Sequence, residues 1–152
     1  MNDRNHGQHK KYPLATFTAA VMGTPYALGS KTGDCFSLVV SYLDFRDIPI
    51  PDAFEGVTLE TYADLYAADP AGAKEAMVRF ISQTLTEIPV HKAFAGDILL
   101  LQLKDSEALP FLAIHGGQSS IIAASPECGV MPWAIDHYIV RRAWTCRQQS
   151  QQ

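Results

Sequence analysis

The sequence predicts an α+β fold. Helical periodicity fills the first part of the chain, short strand-like runs fill the part after Gly96, and the two do not alternate as they would around a parallel sheet. A length of 152 residues with 47% apolar side chains supplies one packed core.

Residues 1–11 are polar and aperiodic and read as a flexible arm; RQQSQQ, residues 147–152, reads as a polar tail, which leaves one domain over 12–146. His6 and His9 suggest a metal clip, but no Cys, Asp or Glu pattern backs them, and a solvated arm is the simpler reading. The first helix spans about Tyr12 to Met22, with Pro13 in its first turn, Leu14, Phe17 and Val21 on one face, and Gly23 as its stop. The loop TPYALGSKTGD follows, dense in Gly, Pro, Ser and Thr. Asp34 stands where an N-cap belongs, before the helix CFSLVVSYLDFR. Its interior polar positions, Ser37, Ser41 and Asp44, predict a narrow exposed stripe.

Residues 47–58 read as an ordered loop. A short helix spans Leu59 to Ala68, and Asp69-Pro70 caps a longer one through about Glu87, whose face is Ala73, Ala76, Met77, Phe80, Ile81 and Leu85. Ile88-Pro89 ends it. The strands are DILLLQL, FLAIH, SIIAAS, GVMPWAI and HYIVRRAWT, with GGQS as a hairpin turn.

Composition narrows the function. Charged residues are 18%, with 12 basic against 16 acidic side chains and a net charge of −4. With no basic block, nucleic acid is not an expected partner. No apolar run approaches the ~20 residues of a membrane span. The N-terminus lacks the apolar core of a secretory signal, so synthesis in the cytoplasm is expected. Three cysteines are too few and odd in number for a disulfide framework.

Cys35 is the sharpest chemical feature. It opens a helix after a Gly-rich loop, where unpaired N–H groups and the helix dipole favour a thiolate, although Asp34 opposes this. It also reads as a small buried hydrophobe. A nucleophilic thiolate needs a proton shuttle, usually His. His91, His115 and His137 are the histidines of the domain, and each also reads as an ordinary surface or half-buried residue.

GTPYALG, GDCFSLV, AGDILLLQL, FLAIHGGQSSIIAAS and CGV together resemble the NlpC/P60 cysteine hydrolases, in particular the small branch from phage tails and gene transfer agents. The resemblance covers roughly residues 14–145. It implies a papain-like fold, with N-terminal helices packed on a C-terminal antiparallel sheet, and cleavage of amide bonds in peptidoglycan stem peptides without metal or organic cofactor. It places Cys35 on the nucleophile, Tyr26 on a residue that shapes the nucleophile's surroundings, and Asp34 on a residue lining the stem-peptide site. Phe36 stands where a Ser usually follows the nucleophile.

The sequence departs from the family pattern in the hairpin. Phe111 falls where the general-base His belongs, and Ala123 where its orienting partner belongs. In an antiparallel hairpin the two positions lie nearly opposite, so two losses at one spatial site point to decay of one machine. His115 is the alternative base, but it lies four residues along the strand, roughly 13 Å at ~3.3 Å per residue, where a base needs about 3 Å.

The expected function is therefore a catalytically degenerate tail-tip or baseplate component of a phage or phage-like particle, partnered by other tail proteins. The alternatives are an active cell-wall peptidase using Cys35 with His115, and a module that binds stem peptides without cutting. Tyr138, Trp133 and Trp144, read as exposed aromatics, mildly favour a protein-contacting role.

Overall fold

The structure is a computed structural model that describes residues 13–25, 35–51, 53–125 and 127–146. Among the described residues, four α-helices precede most of the sheet: α1 (Pro13–Val21), α2 (Cys35–Phe45), α3 (Leu59–Ala68) and α4 (Pro70–Thr84). The strands are β1 (Thr86–Ile88), β2 (Ile98–Leu103), β3 (Phe111–Gly117), β4 (Ser120–Ser125), β5 (Gly129–Ala134) and β6 (Tyr138–Thr145). They form one antiparallel sheet in the order β1-β6-β2-β3-β4-β5. This is the α+β arrangement that the sequence predicts.

The helix starts follow from local chemistry. Thr58 and Thr61 form a reciprocal capping box at the start of α3. The Asp69 carboxylate accepts the Gly72 N–H at 3.1 Å, and Pro70 takes the first position of α4, where its missing N–H costs nothing. The predicted face of α4 is the buried one: Ala73, Ala76, Met77, Phe80 and Ile81 lie inside, and Leu85 packs at the edge.

Strand alternation divides the sheet's side chains between two apolar layers. Ile98, Leu100, Leu112, Ile114, Ile122 and Trp144 meet the helices in the main core. Leu99, Leu101, Ala113, Ile121, Ala123 and Ala143 form a smaller cluster on the opposite face. As its apolar face requires, α2 packs on β3 and β4.

Three expectations need correction. Residues 86–88 are not the end of α4. Thr86, Glu87 and Ile88 pair with Thr145, Trp144 and Ala143 as an edge strand, and Glu87 meets Arg142 at 2.7 Å; a ladder partner available only in three dimensions overrides the local helical pattern. Ser37 is fully buried, so only Asp44 of the expected stripe is fully exposed. A serine hydroxyl can be satisfied close to its own helix and does not demand water as a carboxylate does. Trp144 is also fully buried, with its indole N–H donating to Ser82 Oγ at 3.3 Å, while Trp133 and Tyr138 are half-buried.

A close backbone contact joins the end of α1 to the sheet. Gly23 N–H donates to Val130 O and Val130 N–H to Thr24 O, at 2.8 and 2.9 Å, which ties the end of α1 to β5. Gly129 makes this possible: it has φ +74°, and a Cβ there would collide with the Thr24 carbonyl oxygen.

Candidate functional site

The sheet opens beside Cys35. Pairing between β3 and β4 runs from Gly117↔Ser120 to Ile114↔Ile122 and stops. Beyond it, β3 remains paired to β2 through Phe111, while Ala123, Ala124 and Ser125 remain paired to β5. Where the strands part there is a cleft of about 770 Å³, lined by Cys35, Phe111, Ala123, Trp133 and Tyr138 among others. Continued past its last pair, the register would set Ala123 opposite Ala113, so Phe111 and Ala123 are diagonal neighbours and not opposite ones. They still share the cleft with the thiol.

Cys35 is half-buried at the first position of α2. Phe36 turns away into the core, where its ring meets Tyr62 at 4.7 Å and Phe80 edge-on at 5.4 Å. It thereby anchors the start of α2 against α3 and α4. From the other end, the Tyr42 hydroxyl donates to Gly96 O at 3.2 Å and accepts from Arg46 at 2.9 Å. Burial pushes the Tyr42 phenol up to about 12, against the opposing pull of the Arg46 guanidinium.

Among the described residues, Lys74 is the polar side chain that bonds to the thiol. Its Nζ donates to Cys35 Sγ at 3.5 Å and lies 5.5 Å from the centre of the Tyr66 ring. Lys74 is 8% exposed, although lysines on amphipathic helices ordinarily extend to water. The proton carriers that the sequence suggests are histidines, and Lys74 is not among them. A signal was present: Lys74 stands three residues before Met77 and seven before Ile81, on the apolar stripe of α4, where a charge is out of place.

His115 does not line the cleft, and no histidine among the described residues does. Its Nδ1 accepts the Gly117 N–H at 3.0 Å, and its backbone bonds to Asp97 O and Gly96 N–H, both at 2.8 Å. Burial lowers the His115 pKa from the usual histidine value, with the Asp97 charge opposing. Asp97 itself accepts from Thr145 Oγ1 at 2.9 Å and from the Phe94 N–H at 3.0 Å. His91 and His137 are exposed in short 3-10 turns. Tyr26 and Asp34 lie outside the described residues. Among the described residues, no three His, Cys, Asp or Glu side chains are grouped as metal ligands.

A second cavity, of about 40 Å³, lies behind Phe36 between α2, α4 and the loop before α3. Its walls are apolar apart from Thr58 and Tyr62, and it offers no nucleophile or acid–base pair.

No family model matches the sequence, and no curated protein matches it. Among solved structures, the chain is similar to the NlpC/p60 domain of the peptidoglycan hydrolase SagA, with a TM-score of 0.55 at 21% identity over 87% of this chain and 95% of that one. The fold is that of an NlpC/P60 domain. Within this NlpC/P60 fold the cleft carries a thiol, a buried ammonium side chain and an aromatic wall. No helix among the described residues is long and apolar enough to cross a membrane.

Proposed function

We propose that this chain is an NlpC/P60-like protein whose cysteine–histidine relay is dismantled, and that it serves as a structural component of a phage-type tail tip or baseplate. One observation carries the degenerate reading: Phe111 and Ala123 line the cleft beside Cys35, and no described histidine does. Amide cleavage needs an acid to protonate the leaving nitrogen, and losing that group typically forfeits ~10²–10⁴-fold in rate. The tail assignment rests on the motif resemblance of GTPYALG, GDCFSLV and AGDILLLQL.

Restoration tests the degenerate reading. Phe111→His, alone and with Ala123→His, is expected to produce peptidoglycan hydrolysis that Cys35→Ala abolishes. Restored variants that fold and stay inert would argue that the cleft never held the relay. Location is tested by protein identification in purified tail particles, where absence of the chain would sink the structural role.

A second reading, stem-peptide binding without cleavage, is favoured by the open cleft, where Lys74 could meet a peptide carboxylate. Isothermal titration with stem peptide would detect it, and lack of heat at millimolar peptide would dismiss it.

A further inference from the structure

Lys74 is enclosed, and enclosure of an ammonium without compensation is costly. Among the described residues no carboxylate pairs with it; its hydrogen bond goes to Cys35 Sγ at 3.5 Å, and the Tyr66 ring lies 5.5 Å from Nζ. A flexible side chain that could reach water is thus turned inward onto a sulfur, inside a cleft with room for a ligand. Two groups that can share one proton stand together where a substrate would enter.

We propose that Cys35 and Lys74 form a nucleophile–proton-carrier couple that takes acyl groups from esters and thioesters with weakly basic leaving groups. The proposal goes beyond the structural role above and is consistent with it. An amide nitrogen departs only when protonated; the wall residues Phe111 and Ala123 offer no acid, and the carboxyl in the cleft, Glu127, is exposed and accepts from Ser125 Oγ at 3.1 Å. A phenolate or thiolate departs without that help, so the couple suffices for activated donors. The same wall selects the acyl part: the Phe111 and Tyr138 rings, together with Leu109 and Trp133, suit a short apolar chain.

The step balances within the site. With the shared proton on Lys74 Nζ, Cys35 Sγ attacks the carbonyl carbon. The sulfur–carbon bond forms, the carbon–oxygen or carbon–sulfur bond of the donor breaks, and the leaving group departs with its electron pair. The product is an acyl thioester on Cys35; the proton stays on Lys74 Nζ, and the leaving group departs as an anion.

The test uses the full chain with 4-nitrophenyl butyrate, following nitrophenolate release and mapping the acylated cysteine by mass spectrometry. The expected result is a burst equal to the protein concentration, with the butyryl group on Cys35. Accessibility alone would favour Cys128, which is more exposed. Lys74→Met should slow the burst about a hundredfold and flatten its pH dependence. Lys74→Arg, which keeps a charge but does not release its proton, should fail to rescue it. A merely structural role would shift the melting temperature and leave the pH profile of the burst intact. Equal acylation of Cys128 or Cys146, or an unchanged burst in folded Lys74→Met, would overturn the couple. If Lys74→Met does not fold, Lys74→Gln replaces it, and the wild-type site map decides by itself whether Cys35 is preferred. Peptidoglycan hydrolysis is a separate assay; a positive there would refute the degenerate reading and leave this couple standing.

Discussion

The ring of Phe111 meets the ring of Tyr138 edge to face, with centroids 5.4 Å apart and planes at 79°. Such a pair is worth ~0.5–1.5 kcal/mol beyond the area it buries, so Phe111 has a packing role of its own in the cleft wall. Ala123 beside it is 3% exposed in the second apolar layer. Introducing an imidazole at both positions removes the ring pair and overfills the alanine site. The double variant is expected to lose about 1–3 kcal/mol, read as a lower denaturant midpoint with unchanged slope. Unchanged stability would show that the wall is loosely packed.

Tyr42 makes the fold sensitive to alkali. Its phenol ionises near 12 in the folded chain against 10.0 when unperturbed. Stability is therefore full below pH 10 and falls between 10 and 12, as the unfolded chain releases a proton that the folded chain keeps, by ~3 kcal/mol at most. Tyr42→Phe should remove this slope and cost about 1–2 kcal/mol at neutral pH by leaving Gly96 O without its partner. Urea titrations at pH 8 and pH 11 measure both, and equal losses in wild type and variant would contradict the assignment.

His115 works in the opposite direction. Its folded pKa lies below the unfolded value of about 6.5. Its contribution is intact above that pH and declines as pH falls through the folded value, because the unfolded chain takes up the proton first. Protonation would also cost the Gly117 N–H its acceptor. His115→Asn keeps an acceptor of similar reach and does not titrate, so it should flatten the melting temperature between pH 7 and pH 5. A slope as steep as wild type would assign the acid sensitivity elsewhere.

Gly129→Ala is expected to cost of the order of 1–3 kcal/mol from the left-handed backbone alone, with more from collision with the Thr24 carbonyl. The tie between the end of α1 and β5 should loosen first. Hydrogen exchange at Gly23 and Val130, whose N–H groups form that tie, should speed up more than exchange in β2. Uniform acceleration would mean that the strain is felt globally.

Much of the architecture was legible because its signals are local. Asp69-Pro70 marks the start of α4 by chemistry that needs no tertiary partner, and SIIAAS coincides with β4 because a short continuous apolar run suits a strand buried on both faces. Thr86–Ile88 was not legible as a strand, since its partner lies at the far end of the domain and only the ladder with β6 makes it one. Trp144 was misread for the same reason: burial of an indole depends on the helix that covers it. Of the site, Cys35 and the unusual pair Phe111 and Ala123 could be picked out from sequence, and the structure brings them to one cleft. Lys74 escaped because its importance lies in a distance to a residue 39 positions away.

The most direct test of the central claim is hydrolysis of purified peptidoglycan by the wild-type chain, followed by chromatography of the released fragments. The expected release is indistinguishable from that of Cys35→Ala, because no described histidine stands in the cleft to serve the leaving nitrogen. Release by wild type that Cys35→Ala abolishes would contradict it and establish a working peptidase in a cleft without the expected histidine.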